Sequence, residues 1–118
     1  MYKDTLITAI LLMAGKGARF SQIIPKQFIK LNNIPLFEIA LKTLSECKWI
    51  DDIILVGPKN FTHPYYTCVE GGDTRQESSY NGLLACKKNT GIVLIHDALR
   101  PFVTQRIIKE NIIAAYKT

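Results

Sequence analysis

The sequence has few residues of the kind that staple a chain or hold a metal. It carries three cysteines, Cys47, Cys68 and Cys86, and two histidines in 118 residues. No Cys-x-x-Cys spacing occurs, so neither a disulfide framework nor a zinc knuckle is supported. Scattered thiols of this kind imply a reducing, cytoplasmic compartment. Seven glycines and five prolines exclude a collagen-like or linker-like chain. A long apolar run is missing too. Residues 6–14 follow Lys3 and superficially resemble a signal peptide, but they are too short to span a bilayer. Charge follows directly at Lys16 and Arg19, so the run reads as a buried first strand, and no membrane partner is expected. Dense Lys/Arg blocks with interleaved aromatics are also absent. The net charge of +5 by itself requires nothing beyond solubility. The absence of such blocks makes nucleic acid a weaker partner than a phosphate-bearing small molecule.

What is present is a folding sequence. A hydrophobic content of 47% against 21% charged residues excludes intrinsic disorder, and the length allows one domain with a real core. Apolar runs alternate with helical periods. Strands are expected at 6–13, 52–56, 66–69 and 92–95. Helices are expected from Leu36 to Cys47, where Leu36, Ile39, Ala40, Thr43, Leu44 and Cys47 recur at helical spacing, at 74–87 and at 104–116. Pro35 is expected in the first turn of the first of these. The last should carry a stripe of Ile108, Ile112 and Ala115 beside Ile107. Residues 14–35 read as loop, with a short helical turn near Gln27. Alternation of strands and helices implies βαβ units, a mostly parallel sheet and helices on both faces. The crossover at 57–65 is near the shortest that parallel strands permit, and Pro58 and Pro64 leave any helix there rudimentary. The chain stops just after a helix that should return to another strand. Residues 1–118 are therefore expected to be the N-terminal part of a single longer domain.

In an open parallel sheet, ligands bind beyond the carboxyl ends of the strands. Three loops leave such ends. The first runs Met13-Ala14-Gly15-Lys16-Gly17-Ala18-Arg19-Phe20, then Pro25-Lys26-Gln27. Its glycines let backbone N–H groups curl toward a phosphate, and Lys16, Arg19 and Lys26 add cations. It is not a Walker loop, because residues 20–22 are Phe-Ser-Gln, nor a dinucleotide fingerprint, because position 20 is Phe. The second loop is Gly71-Gly72-Asp73-Thr74-Arg75-Gln76-Glu77-Ser78. Thr74 with Glu77 is a capping box that starts a helix. The paired glycines beside Arg75 and Ser78 permit close approach to a planar base or a sugar. The third is His96-Asp97-Ala98-Leu99-Arg100-Pro101. There Asp97 can hold Mg²⁺ or substrate hydroxyls. Arg100, held extended by Pro101, can pair with a phosphate. An ordinary Asp–Arg surface pair is the plainer alternative. His96 reads as structural, and His63 has no assigned role.

Taken in order, these segments resemble the 2-C-methyl-D-erythritol 4-phosphate cytidylyltransferases, whose sister group is the ribitol 5-phosphate cytidylyltransferases. The resemblance extends to Phe28, Asn81-Gly82-Leu83 and Phe102. It implies a Rossmann-like nucleotidyltransferase fold. It implies transfer of CMP from CTP, with Mg²⁺, to a sugar-alcohol phosphate, and a homodimer for the full-length form. Carried over by position, Arg19 and Lys26 stabilise the reacting phosphates. Ala14, Gly15, Gly17, Gly72, Asp73 and Ser78 bind the nucleotide. Asp97 and Arg100 face the metal or the acceptor. Met13 stands where the family often has a small residue beside the base, which would crowd the pocket. The alternatives are a ribitol 5-phosphate acceptor, or a non-catalytic nucleotide-binding remnant with its fourth strand on an open edge.

Overall fold

The computed structural model describes residues 1–13, 30–31, 33–98, 100 and 102–118. Its centre is strand β1 (Leu6–Leu12), which is buried along almost its whole length. β1 pairs in parallel with β4 (Asp52–Gly57) on one side and with β6 (Thr90–Asp97) on the other. β5 (Thr67–Glu70) adds in parallel outside β4, giving the order β5-β4-β1-β6. A two-residue antiparallel pair, β2 (Lys30–Leu31) and β3 (Ile34–Pro35), lies outside this sheet. It falls in the 14–35 stretch read as loop, where no strand was expected. The helical turn expected near Gln27 lies outside the described residues.

The pleat sends alternate residues of a strand to opposite faces. Ile7, Ala9 and Leu11 therefore face one core, which is filled by α1 (Leu36–Ser45) and α3 (Gln105–Lys117). Ile10 and Leu12 face the other, with Ile54 and Val56 of β4, beneath α2 (Arg75–Ala85). Helices thus cover both faces of a parallel sheet, the Rossmann-like arrangement implied by the alternation of elements.

The helices differ from expectation in rotation and ends. In α1 the buried stripe is Phe37, Ala40, Leu41 and Leu44, not one led by Leu36 and Ile39. Pro35 precedes the helix as its N-cap, where its fixed φ of −58° and ψ of 142° turn the chain into α1. α2 ends at Ala85 rather than at 87, and Thr74 is its cap, accepting from the Glu77 N–H at 3.0 Å. α3 is capped the same way by Thr104. It buries Ile108 and Ile112, while Ala115 and Ile107 are exposed.

Two short connections fix these layers. The crossover after β4 forms no helix. It is pinned by Phe61, which meets Phe37 edge-on at 5.6 Å, and by His63, whose Nε2 lies 3.4 Å from Glu38 Oε1. Gly82 lets α2 lie close to the sheet: a Cβ there would stand 2.8 Å from Ile10 Cγ2 and 3.1 Å from Val56 Cγ2. At the opposite end of the sheet, Asp51 accepts the Ile7 N–H at 2.8 Å and the Met1 ammonium at 2.7 Å. Burial raises its pKa, but these two donors outweigh that and hold the carboxyl below its ordinary value.

Two outcomes follow from the packing. Gly82→Ala forces a methyl into Ile10 and Val56. Despite a gain of about 1 kcal/mol in helix propensity, it should destabilise the fold by roughly 1 kcal/mol net, read as a lower thermal midpoint. Among the described residues β6 is a sheet edge, and it carries the partly exposed Ile95 without any lysine or proline. Such an edge favours association. Sedimentation of the 118-residue chain should show self-association that Ile95→Lys weakens, and a monomeric parent chain would contradict this.

Candidate functional site

The strand order places the ends that matter together. The chain runs outward from β1 to β4 and β5, then returns across α2 to β6 on the far side of β1. Sheets of this type usually bind ligands in a crevice outside the carboxyl ends of the strands at such a reversal, here between β1 and β6. The loops after β1, β5 and β6 all leave that same end, because all three strands are parallel.

Backbone hydrogen bonds hold the strand ends in register. Met13 N–H donates to the Val56 carbonyl at 2.7 Å, and Ala98 N–H donates to the Leu12 carbonyl at 3.0 Å. The Met13 side chain turns into the core and is 1% exposed, so it does not crowd a ligand pocket as its size suggested. Its Cε packs 3.2 Å from where a Cβ at Gly57 would lie. Ala14, Gly15, Gly17, Arg19 and Lys26 lie outside the described residues.

The second loop is built from α2 backward. Gly71 N–H donates to the Gly57 carbonyl at 2.9 Å, tying the turn to the end of β4. Gly72 N–H donates to Ser78 Oγ at 3.0 Å, and Ser78 is fully buried. Ser78 therefore shapes the turn through the Gly72 amide. A serine hydroxyl that accepts still has a proton to donate. Gly72 has no room for a side chain, since a Cβ there would lie 2.4 Å from Glu77 Cβ. Asp73 is exposed at the mouth of this turn, and so is Arg75 at the start of α2.

The third loop is a tight turn at the end of β6. Arg100 N–H donates to the Asp97 carbonyl at 3.0 Å, and the Arg100 carbonyl lies 2.6 Å from His96 Nε2. His96 thus fixes the backbone of Arg100, whose residue is exposed, while Asp97 is half-buried. Leu99 and Pro101 lie outside the described residues. Mg²⁺ is commonly held by one or two carboxylates together with substrate phosphates. Asp97, a hard oxygen donor at the end of β6 beside the crevice, is the right kind of ligand for that arrangement. Among the described residues no cluster of three or more His, Cys, Asp or Glu forms a metal site of its own. Burial pushes the Cys68 and Cys86 thiols above their ordinary pKa, with Asp52 adding to the effect at Cys86, which disfavours either as a nucleophile.

Sequence reasoning missed Asn81 as a positional element. Its Nδ2 donates to the Glu70 carbonyl at 2.9 Å across eleven residues of sequence. Besides its place in the Asn81-Gly82-Leu83 segment of the family resemblance, the signal was a polar amide inside a helix, where it is unfavourable unless it bonds to something.

Comparison with known proteins agrees with this geometry. Residues 7–118 match the family model for 2-C-methyl-D-erythritol 4-phosphate cytidylyltransferase. The Clostridium perfringens protein of that name is 39% identical over 90% of this chain and 52% of its own length. A Clostridium botulinum protein of the same name is 37% identical over 91% of this chain and 53% of its own. The crystal structure of 4-diphosphocytidyl-2C-methyl-D-erythritol synthase from Anaerococcus prevotii superposes with a TM-score of 0.80 at 31% identity, covering 97% of this chain and 52% of that one. The chain spans about half the length of the curated relatives it matches.

Ser78→Ala tests the construction of the second loop. It leaves the half-buried Gly72 N–H without its acceptor, so stability should fall by about 1 kcal/mol in chemical denaturation. An unchanged midpoint would show that water replaces the hydroxyl at no cost.

Proposed function

Because the chain belongs to the 2-C-methyl-D-erythritol 4-phosphate cytidylyltransferase family, we propose that it supplies the CTP-gripping half of an enzyme of that activity. The reaction transfers CMP from CTP to 2-C-methyl-D-erythritol 4-phosphate and releases pyrophosphate, a step in isoprenoid precursor synthesis. The observation that carries the proposal is the strand reversal at β1. It supports a phosphate site between the glycine-rich loop after β1 and the Asp97–Arg100 turn after β6. The relatives described above carry the methylerythritol name, which favours that acceptor over ribitol 5-phosphate. The remnant reading is disfavoured, because the family match runs through all three loops.

The chemistry needs no general base. A phosphate monoester has a second pKa near ~6, so the acceptor phosphate is already a nucleophile at neutral pH. One of its oxygens forms a new bond to the α-phosphorus of CTP. The bond from that phosphorus to the bridging oxygen breaks, and pyrophosphate leaves with the electron pair. The barrier is electrostatic, since two anions must meet. Arg19 and Lys26 hold fixed positive charge against the reacting phosphates. Ala14, Gly15 and Gly17 bring backbone to the nucleotide, while Gly72 and Asp73 form the wall for its base and ribose, with Ser78 buried behind them and bonded to the Gly72 amide. Arg100 orients the acceptor phosphate. Asp97 would hold Mg²⁺, which when bound spreads the negative charge of the triphosphate. A homodimer of the full-length form and a cytoplasmic location belong to the same proposal. Among the described residues, no helix is long and apolar enough to cross a membrane.

The test is pyrophosphate release by the full-length protein with CTP and 2-C-methyl-D-erythritol 4-phosphate. Lys26→Ala and Arg19→Ala should each lower turnover about a hundredfold, equivalent to roughly 3 kcal/mol. Near-normal release by Lys26→Ala removes the lysine from the mechanism. Ribitol 5-phosphate turned over faster than the methylerythritol substrate would reverse the acceptor assignment.

A further inference from the structure

The Gly71–Gly72 turn has no side chains of its own to fix it, and α2 does so from outside. Asn81 Nδ2 donates to the Glu70 carbonyl at 2.9 Å, one residue before the paired glycines. Ser78 Oγ accepts from the Gly72 N–H at 3.0 Å. Ser78 and Asn81 are three residues apart, so they project from the same face of α2 about one turn apart. Together they hold the peptide groups on both sides of Gly71, while Gly71 N–H is anchored to the Gly57 carbonyl at 2.9 Å. Glycine loses more conformational freedom on ordering than any other residue, so an unclamped turn would have to be ordered by its ligand.

We propose that Asn81 is a positioning residue: through the Glu70 carbonyl it presets the Gly71–Gly72 backbone against which the nucleotide base rests. The inference rests on the cytidylyltransferase reading, which puts the base on this turn. The chemistry of the side chain supports the assignment. Asparagine is a poor helix former, and alanine or leucine at position 81 would serve α2 better. What asparagine adds is an amide donor of the right length to reach the carbonyl of Glu70, the last residue of β5. Aspartate has the same size, but when ionised it presents only acceptors to that carbonyl and repels it. The clamp differs from a catalytic role, since Asn81 contacts backbone and no reacting atom.

The experiment compares Asn81→Asp and Asn81→Ala with the parent in the full-length protein. It combines steady-state kinetics with amide hydrogen exchange at Gly72, measured without nucleotide. Loss of one hydrogen bond should raise the KM for CTP about fivefold and speed Gly72 exchange by a similar factor. The KM for the acceptor should stay within about twofold, which general damage to the fold would not allow. If Asn81→Asp fails to fold, Asn81→Ala gives both readouts. Unchanged Gly72 exchange in a folded variant overturns the clamp. Faster exchange with an unchanged KM for CTP, or equal rises in both KM values, overturns its link to the nucleotide. If the parent protein itself neither binds nor turns over CTP, the cytidylyltransferase reading fails and takes the nucleotide role with it, while the exchange comparison still decides whether Asn81 holds the turn.

Discussion

β1 is the constraint on which everything else depends. Its backbone pairs with β4 on one side and β6 on the other, and both of its faces are covered by helices. A strand in that position has no surface left for polar side chains, which is why its sequence is nearly continuous aliphatic. It also forces a topology. The chain must leave β1, fill one side of the sheet, and then recross to fill the other. The right-handed rule for such crossovers lays the recrossing segment, α2, on one face of the sheet, and α2 starts from the carboxyl end of β5. The crevice and its three loops are consequences of that path. No loop had to be placed independently.

The site inherits its rigidity from the same source. α2 lies close enough to Ile10 and Val56 that Gly82 has no space for a side chain. Its first two turns then reach back to the β5 end through Ser78 and Asn81, while Thr74 caps the helix itself. The Asp97–Arg100 turn is fixed in a similar manner, by Ala98 bonding to the end of β1 and by His96 holding the Arg100 carbonyl. In both loops the groups with ligand chemistry are exposed or half-buried, and the groups that orient them are bonded to the sheet or its helices. That division suits a reaction in which fixed charges and dipoles, not an acid–base pair, lower the barrier.

Much of this was readable in the residues. Leu6 to Leu12 and Ile53 to Val56 announce buried parallel strands, since no solvent-facing strand is so apolar. Thr74 with Glu77 marked the start of α2 to the residue. The parts that stayed hidden depend on distant partners. The buried stripe of α1 is set by where Phe37 meets Phe61, and local periodicity permits a neighbouring stripe through Leu36 equally well. Ala115 continues the period of α3, yet it is exposed. Met13 looks too large for a ligand pocket, and only the absence of a side chain at Gly57 shows where its bulk goes. Asn81 reaches a carbonyl eleven residues away, and nothing local reveals that bond.

The most direct measurement is a crystal structure of the full-length protein with CTP. The triphosphate should lie between the carboxyl ends of β1 and β6, with the cytosine against Gly72 and with Arg19 and Lys26 within hydrogen-bonding distance of phosphate oxygens. CTP bound away from that crevice, or seated there with both cationic side chains turned into bulk solvent, would contradict the account.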